Sequence, residues 1–280
     1  MTKIELKETL FRWLMRGYVR LFARPAWHVV NRFLFNLSLR GLGILNNQGS
    51  EDLISKGEAN FLQRIAPQWE SQPVVLDVGA HHGAYASLVK RYCQTARVFA
   101  FEPNPEACAL LQRRALDEGF VAIEQGCGER TEKVLLYDYE TKAGSVHASL
   151  YPDVLMRLHR ENAVSREVQL LALDDFLDAR QLSRVALVKI DTEGHELHVL
   201  KGLHRALAQN LIDVVQFEFN AMNVYSRVFL RDFYELLPAF EFYRLLPSGV
   251  IPLGEYCSVP CELFAYQNLV AVRKGCGVQV

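Results

Sequence analysis

From Pro73 to Phe219 the sequence alternates short β-branched runs with amphipathic helical segments, and no other feature constrains the fold as much. This alternation is typical of βαβ units, whose strands pair in a parallel sheet with helices on its faces. The predicted strands are Val74–Val78, Arg97–Glu102, Phe120–Gln125, Val185–Ile190 and Ile212–Phe219. The predicted helices are Tyr85–Cys93, Pro105–Glu118, His195–Gln209 and Arg227–Leu237. We therefore expect an α/β fold with a mostly parallel sheet.

Two stretches depart from this alternation. Residues 130–172 contain the predicted strands Lys133–Tyr137 and Glu167–Ala172, and we interpret them as an insertion at the rim of the sheet. Residues 240–273 predict a C-terminal antiparallel hairpin whose last strand is Asn268–Val272. The sheet is therefore expected to be mixed at one edge.

The N-terminal segment, residues 1–49, differs chemically from the main domain predicted over residues 50–280, which begins with a helix from Ser50 to Ile65. Residues 1–46 hold eight Lys or Arg and two Asp or Glu, a net charge of +6, which leaves −7 for the remainder. Arginines recur at every fourth position opposite an apolar face, as in a basic amphipathic helical arm. The arginines are Arg12, Arg16, Arg20 and Arg24, and the apolar residues are Leu10, Phe11, Leu14, Met15, Tyr18 and Phe22. Peripheral contact with an anionic membrane, packing on the main domain and packing in a homo-oligomer all fit this pattern.

Composition argues against several classes of protein. No apolar run reaches the roughly 18 residues of a transmembrane helix, and the N-terminus lacks the features of a signal peptide, so we expect a cytoplasmic protein. The six cysteines are scattered, and Cys257 and Cys261 lack a second pair of ligands nearby, so structural zinc is not expected. Because the main domain is acidic and has no basic aromatic platform, nucleic acid is not an expected partner.

The most informative motif is the glycine turn after the first predicted strand, Asp77-Val78-Gly79-Ala80-His81-His82-Gly83. Open parallel sheets bind ligands at this edge. His81 takes the place of the second glycine of a dinucleotide fingerprint and would obstruct a pyrophosphate, and no Gly-Lys-Ser/Thr follows as in a P-loop. A cationic amino-acid-like ligand fits better. Asp77 can attract the α-amino group of S-adenosylmethionine, while Gly79 and Gly83 allow the backbone to approach it closely.

A second acidic residue lies at the end of the next predicted strand. Glu102 follows Gly83 by 19 residues, and a carboxylate there can accept hydrogen bonds from both ribose hydroxyls of a nucleoside. The glycine turn by itself also fits an ordinary connection between a strand and a helix. Its combination with Glu102 favours cofactor binding.

Three sequence blocks occur in a fixed order between about residues 76 and 220. They are Leu76 with the glycine turn, then Phe101-Glu102-Pro103-Asn104-Pro105, then Lys189-Ile190-Asp191-Thr192-Glu193-Gly194-His195-Glu196. In these blocks the chain resembles the FkbM-type methyltransferase family, and the third block is the most specific. Two further segments are similar to family segments, Leu173-Asp174-Asp175-Phe176 and Phe217-Glu218-Phe219-Asn220.

The resemblance implies a Rossmann-like class I methyltransferase fold, S-adenosylmethionine as methyl donor, and a hydroxyl of a sugar, glycan or natural product as acceptor. The cofactor-binding residues that it implies are Asp77, Gly79, His81, Gly83, Glu102, Asn104 and Asp191. The chain departs from the family where His81 replaces a common Asn and where residues 125–128 replace an Asn-containing turn. These departures leave open the role of His81 and the adenine contact.

Methyl transfer to a hydroxyl requires alignment of oxygen, methyl carbon and sulfur, and a general base that takes the proton. Asp191, Glu193 and His195 are the catalytic candidates, because they follow the fourth predicted strand. His195 is expected to stay neutral near a helix N-terminus and thus to remain able to accept a proton. Each also has a structural interpretation, as a helix cap, as an acceptor for backbone N–H groups or as a surface residue.

Other residues near this edge have two interpretations. Glu218 and Asn220 end the fifth predicted strand and line either an acceptor pocket or the rim of the sheet. Asp191, Glu193 and Glu218 together could bind Mg²⁺, although the sequence assigns no metal ligand. The loop Tyr139–Leu150, with Ser145 and Ser149, is a candidate lid over the acceptor.

The alternative to an enzyme is a non-catalytic nucleoside-binding or protein-interaction module on the same fold. Such a module would be expected to have lost the glycine turn or Glu102, and both are present. A dehydrogenase is disfavoured by His81.

Overall fold

The computed structural model of the chain describes residues 3–45, 57–140, 144–145, 147–160 and 162–280. Four predicted features lie outside what it describes. They are the side chain of Leu10, the boundary between residues 49 and 50, the helix start at Ser50, and residues 141–143 and 146 of the predicted lid loop.

An eight-stranded sheet forms the centre of the fold, and three further strands form a second, small sheet. Numbered along the chain, the strands are β1 (Val74–Val78), β2 (Arg97–Phe101), β3 (Val121–Ile123), β4 (Gly126–Gly128), β5 (Glu132–Tyr139), β6 (Ala163–Ala172), β7 (Leu187–Ile190), β8 (Val214–Phe219), β9 (Phe240–Leu246), β10 (Gly249–Pro252) and β11 (Gln267–Arg273). The order in the large sheet is β10-β9-β11-β8-β7-β1-β2-β3, and the strands from β8 to β3 in this order run parallel. The predicted α/β fold with a mostly parallel sheet is confirmed.

Helices cover both faces of this sheet. The helices of the structure, including those of the N-terminal arm, are α1 (Lys3–Phe22), α2 (His28–Gly41), α3 (Glu58–Ile65), α4 (Ala84–Tyr92), α5 (Pro105–Glu118), α6 (Leu173–Ala179), α7 (Glu196–Lys201), α8 (His204–Ala208), α9 (Met222–Ser226), α10 (Leu230–Leu236) and α11 (Ser258–Cys261). One core layer contains residues of α3, α4 and α5, and the other contains residues of α6, α7, α8 and α10. Because side chains alternate along a strand, Leu76 and Val78 enter the second layer, while Val75 enters the first and Asp77 points to the same side. Asp77 thus lies under α4.

The C-terminal strands differ from the predicted simple hairpin. β9 and β10 form a hairpin, but β11 then returns between β9 and β8 and pairs antiparallel with both. The residues of β11 from Leu269 to Ala271 are fully buried. An apolar run buried on both faces belongs in the interior of a sheet rather than at its edge, which explains the position of β11.

Two predicted helices differ from the observed ones, because one is divided and the other begins later. The helix predicted over His195–Gln209 is divided into α7 and α8 at Gly202, where a Cβ would lie 2.1 Å from the carbonyl oxygen of Gly128. Asp174 then accepts hydrogen bonds from the first-turn N–H groups of Arg205 and Ala206 and so caps α8. The helix predicted over Arg227–Leu237 begins later, at Leu230, because Arg227 has a left-handed conformation.

The insertion at residues 130–172 contributes β5 and β6 to a small sheet that also includes β4. β5 pairs antiparallel with β6, and β6 pairs parallel with β4, in the order β4-β6-β5. Both strands are longer than the predicted ones, and a short π-helix, Val154–His159, lies between them. This sheet carries the predicted lid loop toward the carboxyl edge of the large sheet.

The N-terminal segment contains two helices, α1 and α2, separated by a short 3₁₀ turn over Pro25–Trp27. Proline at the start of that turn is incompatible with continuation of α1. Within the described part of the chain, no helix is both long and apolar enough to cross a membrane.

Candidate functional site

The carboxyl ends of β1 and β7 lie side by side and carry the two central segments of the site. β1 leads into the glycine turn, and β7 leads into Asp191. Gly79 has a φ of +78°, and a Cβ on it would lie 1.8 Å from the carbonyl oxygen of Asp191. Glycine is required there both by its backbone conformation and by this contact. The glycine turn and the backbone of Asp191 are therefore in direct contact.

A buried cluster of charges lies beneath that contact. The sheet register pairs Asp77 with Lys189. The Nζ atom of Lys189 lies 3.2 Å from Oδ2 of Asp191 and 3.8 Å from Oδ1 of Asp77. Asp77 is completely buried, and its Oδ2 accepts a hydrogen bond of 3.1 Å from the N–H of Ala86 in the first turn of α4. Lys189 thus connects the end of β1 with the end of β7.

Burial disfavours the charged forms of Asp77 and Lys189, whereas the attraction between their opposite charges favours those forms. Burial raises the pKa of the Asp77 carboxyl, against the effect of Lys189. Burial would also lower the pKa of Lys189, but the carboxylates of Asp191 and Asp77 outweigh it and raise that pKa above its ordinary value. Lys189 therefore stays protonated and holds the carboxylate of Asp191 in place.

Glu102 follows β2 and holds the glycine turn from the other side. Its Oε2 accepts a hydrogen bond of 2.9 Å from the N–H of His81, and its Oε1 accepts one of 2.8 Å from the N–H of Asn104. Burial raises the pKa of Glu102 to about 7, against the effect of these two hydrogen bonds. Each carboxylate oxygen has a second lone pair. Glu102 can therefore accept two further hydrogen bonds from a ligand.

The other predicted cofactor residues have structural contacts of their own. His81 has a φ of +48°, and its ring stacks on His82 and lies 3.1 Å, through Nε2, from the carbonyl oxygen of Gly144. A Cβ on Gly83 would lie 2.7 Å from a methyl group of Leu111, so this glycine permits packing against α5. Asn104 is the N-cap of α5, and its side chain also donates to Asp138. Contact of these residues with the cofactor stays a prediction.

Asp138, which sequence reasoning did not single out, anchors the predicted lid loop. Its carboxylate is buried and accepts hydrogen bonds from the N–H groups of Gly144 and Ser145, the hydroxyl of Ser145 and the amide of Asn104. The carbonyl of Gly144 in turn contacts His81. Asp138 therefore connects the loop directly to Asn104 and, through Gly144, to His81.

The three catalytic candidates lie in one turn after β7 but have different surroundings. The side chain of Asp191 is 29% exposed and is held by Lys189. Glu193 has a φ of +55°, and its carboxylate lies 3.2 Å from Nδ1 of His147. His195 contacts the hydroxyl of Tyr151 through Nδ1, and burial, with a contribution from His198, lowers its pKa to about 3. His195 stays neutral, as expected, but because of burial more than of a helix terminus.

Glu196, which was quoted only as part of a motif, holds this turn together. It is buried, and its Oε1 accepts hydrogen bonds from the N–H and hydroxyl of Thr192 and from the N–H of Gly194. Burial raises the pKa of Glu196 to about 7 against those hydrogen bonds. Glu196 is thus a positioning residue for the Asp191 turn.

Glu218 and Asn220 lie at the end of β8, next to Asp191 on the side away from Glu102. Glu218 accepts a hydrogen bond of 2.8 Å from the hydroxyl of Tyr266, and Asn220 caps α9 by accepting from the N–H of Met222. Across the described ranges, no group of three or more His, Cys, Asp and Glu is arranged to hold a metal ion. The combination of Asp191, Glu193 and Glu218 is therefore not arranged as a metal centre.

Comparison with known proteins decides the family. The model of the methyltransferase FkbM domain matches residues 77–244, which include the glycine turn, Glu102 and Asp191. This chain belongs to the FkbM methyltransferase family.

Three named relatives show how far the similarity extends. The hexuronic acid methyltransferase AglP of Haloferax volcanii is 29% identical over 54% of this chain and 59% of the relative. Methyltransferase sdnD of Sordaria araneosa is 30% identical over 57% of this chain and 75% of the relative. The 2-O-methyltransferase NoeI of Sinorhizobium fredii is 29% identical over 64% of this chain and 76% of the relative. The match to the first of these spans less than two thirds of its length.

S-adenosylmethionine is the methyl donor that the family resemblance implies, and the residues at the sheet edge fit this cofactor. Within the described residues, the buried Oδ1 of Asp77 lies within hydrogen-bonding distance of no donor, since Lys189 is 3.8 Å away. Such an acceptor suits a ligand ammonium group. Glu102 has lone pairs for ribose hydroxyls.

Sequence reasoning about this FkbM methyltransferase missed Lys189. A weak signal was present, because a lone lysine within the apolar strand Leu187–Ile190 is unusual unless its charge is paired. The acidic residue two positions later was recognised, but the pairing of β7 with β1 that brings Asp77 to the same lysine is a tertiary fact.

Proposed function

We propose that this methyltransferase methylates a hydroxyl oxygen of a saccharide or natural-product acceptor, and that Asp191 is the general base. The names of two relatives specify a hexuronic acid and a 2-O position. The structural observation that supports the proposal is the contact of Asp191 with the glycine turn, together with its partial exposure at the sheet edge.

Asp191 is favoured over the other two candidates by its surroundings. Its Oδ2 accepts a hydrogen bond from Lys189, and the side chain is 29% exposed. Glu193 is engaged with His147, and His195 lies against Tyr151 with a pKa lowered to about 3.

The remaining residues position the reactants. S-adenosylmethionine supplies an electrophilic methyl group, so the chain needs to orient that group and remove one proton. We propose that Asp77 binds the α-amino group of the cofactor and that Glu102 binds the ribose hydroxyls. Gly79 allows the glycine turn to lie close to the proposed base, Asp191. The loop that Asp138 anchors serves as the lid that excludes water from the acceptor side.

We infer that the acceptor is a small molecule or glycan rather than a nucleic acid. Outside the N-terminal arm the chain carries a net charge of −7, and a phosphate backbone would be repelled. We also infer a cytoplasmic location with peripheral membrane contact. All six cysteines are free thiols, which fits a reducing compartment, and the arm is basic and apolar.

The test is release of S-adenosylhomocysteine with glucuronic acid and galacturonic acid glycosides as acceptors. Asp191→Asn is expected to lower kcat by about 10²-fold or more while leaving cofactor affinity nearly unchanged, because a general base contributes this much. Asp178→Asn, at an exposed position on α6, is the matched control and is expected to be fully active. Retention of wild-type kcat by Asp191→Asn would exclude Asp191 as the base.

A further inference from the structure

The two N-terminal helices expose an unusual amount of apolar surface. On α1, Trp13 is 70% exposed and Phe11 61%; on α2, Val29 is 76% exposed and Phe33 63%. Further large apolar residues of the arm are also exposed: Leu14, Met15, Tyr18, Val19, Leu21, Trp27, Val30, Leu34, Phe35 and Leu37. Isolated exposed apolar residues are normal, but a concentration of them marks an interaction surface.

These residues are arranged by helical periodicity. At about 100° per residue, the exposed apolar residues of α1 other than Trp13 fall within about 160° of arc, and the arginines fall on the opposite side. On α2, Val29, Val30, Phe33, Leu34 and Leu37 fall within an arc of about 140° that excludes Arg32, whereas Phe35 lies outside this arc and Arg40 inside it. α1 is therefore amphipathic, and α2 adds a second exposed apolar face.

The charge on this segment has one sign. Between Thr9 and Ser50 the sequence contains six arginines and no Asp or Glu. A protein partner that buried the apolar faces would have to be acidic to complement the positive charge of this stretch. The same stretch of a second copy contains no Asp or Glu. A bilayer that contains anionic lipid supplies an apolar interior and negative headgroups together.

The two helices meet at the turn between them. The hydroxyl of Tyr18 donates to Oδ1 of Asn31 at 2.5 Å, and the amide of Asn31 donates to the carbonyl of Phe22. The rings of Phe22 and Trp27 pack edge to face at 4.8 Å. These contacts join α1 to α2 at one end and give the arm a defined turn that carries aromatic side chains, which favour the headgroup region of a membrane.

We infer that α1 and α2 together form a docking surface for an anionic phospholipid bilayer, with their apolar faces inserted and their arginines at the headgroups. α1 alone would be an ordinary amphipathic helix. α2 extends the inserted surface, and Leu39 and Ile44 are buried at the end of the arm that joins the main domain. The arm thus holds the folded domain at the membrane surface.

The arm joins the main domain close to the acceptor side of the proposed active site. The N–H of Leu45 donates to the carbonyl of Tyr266, whose own hydroxyl donates to Glu218 at the end of β8. Gly43 packs against the carbonyl of Leu245, in the neighbouring part of the sheet. This placement rests on the proposed function, and it indicates an acceptor whose hydroxyl-bearing group is displayed on a lipid or at a membrane surface.

Membrane binding is tested on the full chain by vesicle flotation. One set of vesicles is phosphatidylcholine, and the other is three parts phosphatidylcholine to one part phosphatidylglycerol. Binding is expected with the second set, to weaken as salt is added, and to be much weaker with the first. Arg16→Glu with Arg20→Glu is expected to weaken binding by at least about 25-fold, because each arginine near an anionic surface contributes roughly fivefold. The control Arg113→Glu, on the exposed side of α5, is expected to bind like the wild type.

The apolar contribution has its own pair of variants. Phe11→Ser with Phe33→Ser is expected to lose binding, whereas Leu110→Ser with Leu116→Ser, which are exposed on α5, is expected to keep it. Circular dichroism melts of all variants show whether the domain remains folded. A blue shift of tryptophan fluorescence on vesicle addition is expected for the wild type and Trp69→Phe, and not for Trp13→Phe with Trp27→Phe.

Two results would overturn the inference. One is flotation that is equal on both vesicle types or unchanged by the arginine variant. The other is a chain that ignores vesicles but sediments as a dimer that Phe33→Ser dissociates, which would assign the surface to a second copy. Neither readout involves S-adenosylmethionine, so failure of this inference is distinguishable from failure of the proposed reaction.

Discussion

Gly79 and the carbonyl oxygen of Asp191 lie so close together that a Cβ on Gly79 would come within 1.8 Å of that oxygen. The turn after β1 and the turn after β7 are therefore one structural unit. A cofactor held by the first turn lies beside the carboxylate that the second turn carries. The proposed reaction depends on this closeness.

Gly79→Ala is expected to lower the free energy of unfolding by at least about 3 kcal/mol, because the new Cβ meets backbone that cannot move aside easily and the φ is positive. Gly119→Ala is the matched control. Its φ of +75° is similar but nothing lies within 4 Å of a Cβ there, so a cost of only about 1–2 kcal/mol is expected. Urea denaturation measures both, and equal losses would show that the contact with Asp191 contributes nothing.

Lys189→Met is expected to destabilise the protein by about 3–5 kcal/mol, because it leaves the buried carboxylate of Asp77 without its cation. Adding Asp77→Asn to this variant is expected to restore part of the loss, since the uncompensated charge is then gone. Lys133→Met removes an exposed ion pair on β5 and is expected to leave stability nearly unchanged. Thermal or urea unfolding of these chains and of the Asp77→Asn single variant decides, and additive effects of the Lys189 and Asp77 substitutions would contradict the coupling.

Much of the parallel sheet could be predicted from the sequence, because its strands are buried on both faces and are flanked by glycine and proline. β1 and α5 were predicted with their observed bounds, Val74–Val78 and Pro105–Glu118. What could not be predicted depends on contacts between distant segments. The break at Gly202 follows from its closeness to Gly128, and the place of β11 between β8 and β9 follows from burial on both faces.

The site was predictable to the same extent. The glycine turn, Glu102 and Asp191 follow strand ends that meet at one edge, so the sequence places them together. The partners of these residues were not predictable, because Lys189, Asp138 and Tyr266 act from the other strands or from the small sheet. Pairing across strands depends on the register, which the sequence of one strand does not contain.

Asp138→Asn is expected to loosen the lid loop, because the buried carboxylate accepts four hydrogen bonds from Asn104, Gly144 and Ser145. Faster amide hydrogen exchange at Gly144 and Ser145 is expected, with a cost in stability of about 2–3 kcal/mol. The KM for S-adenosylmethionine is expected to rise, since this loop also contacts His81. Unchanged exchange at the two amides would show that the loop is held by other contacts.

Stability is expected to fall as pH rises through the titration of Glu196. Its pKa in the folded protein is about 7, above the ordinary value of 4.5. The folded state therefore retains a proton that the unfolded state loses above pH 4.5, and this stabilisation is complete below pH 4.5 and is lost as pH rises through 7. The difference in unfolding free energy between wild type and Glu196→Gln is expected to change by roughly 3 kcal/mol across that interval. A difference that is constant with pH would contradict the raised pKa.

Glu102 and the glycine turn are proposed to bind S-adenosylmethionine, and isothermal titration of the free protein with that cofactor measures this binding. The wild type and Glu118→Ala, an exposed carboxylate at the end of α5, are expected to bind equally. Glu102→Ala is expected to bind at least about 100-fold more weakly, because hydrogen bonds from two ribose hydroxyls to a charged acceptor are lost. If Glu102→Ala binds as tightly as the wild type, or if the wild type does not bind, S-adenosylmethionine is not held by Glu102 and the glycine turn.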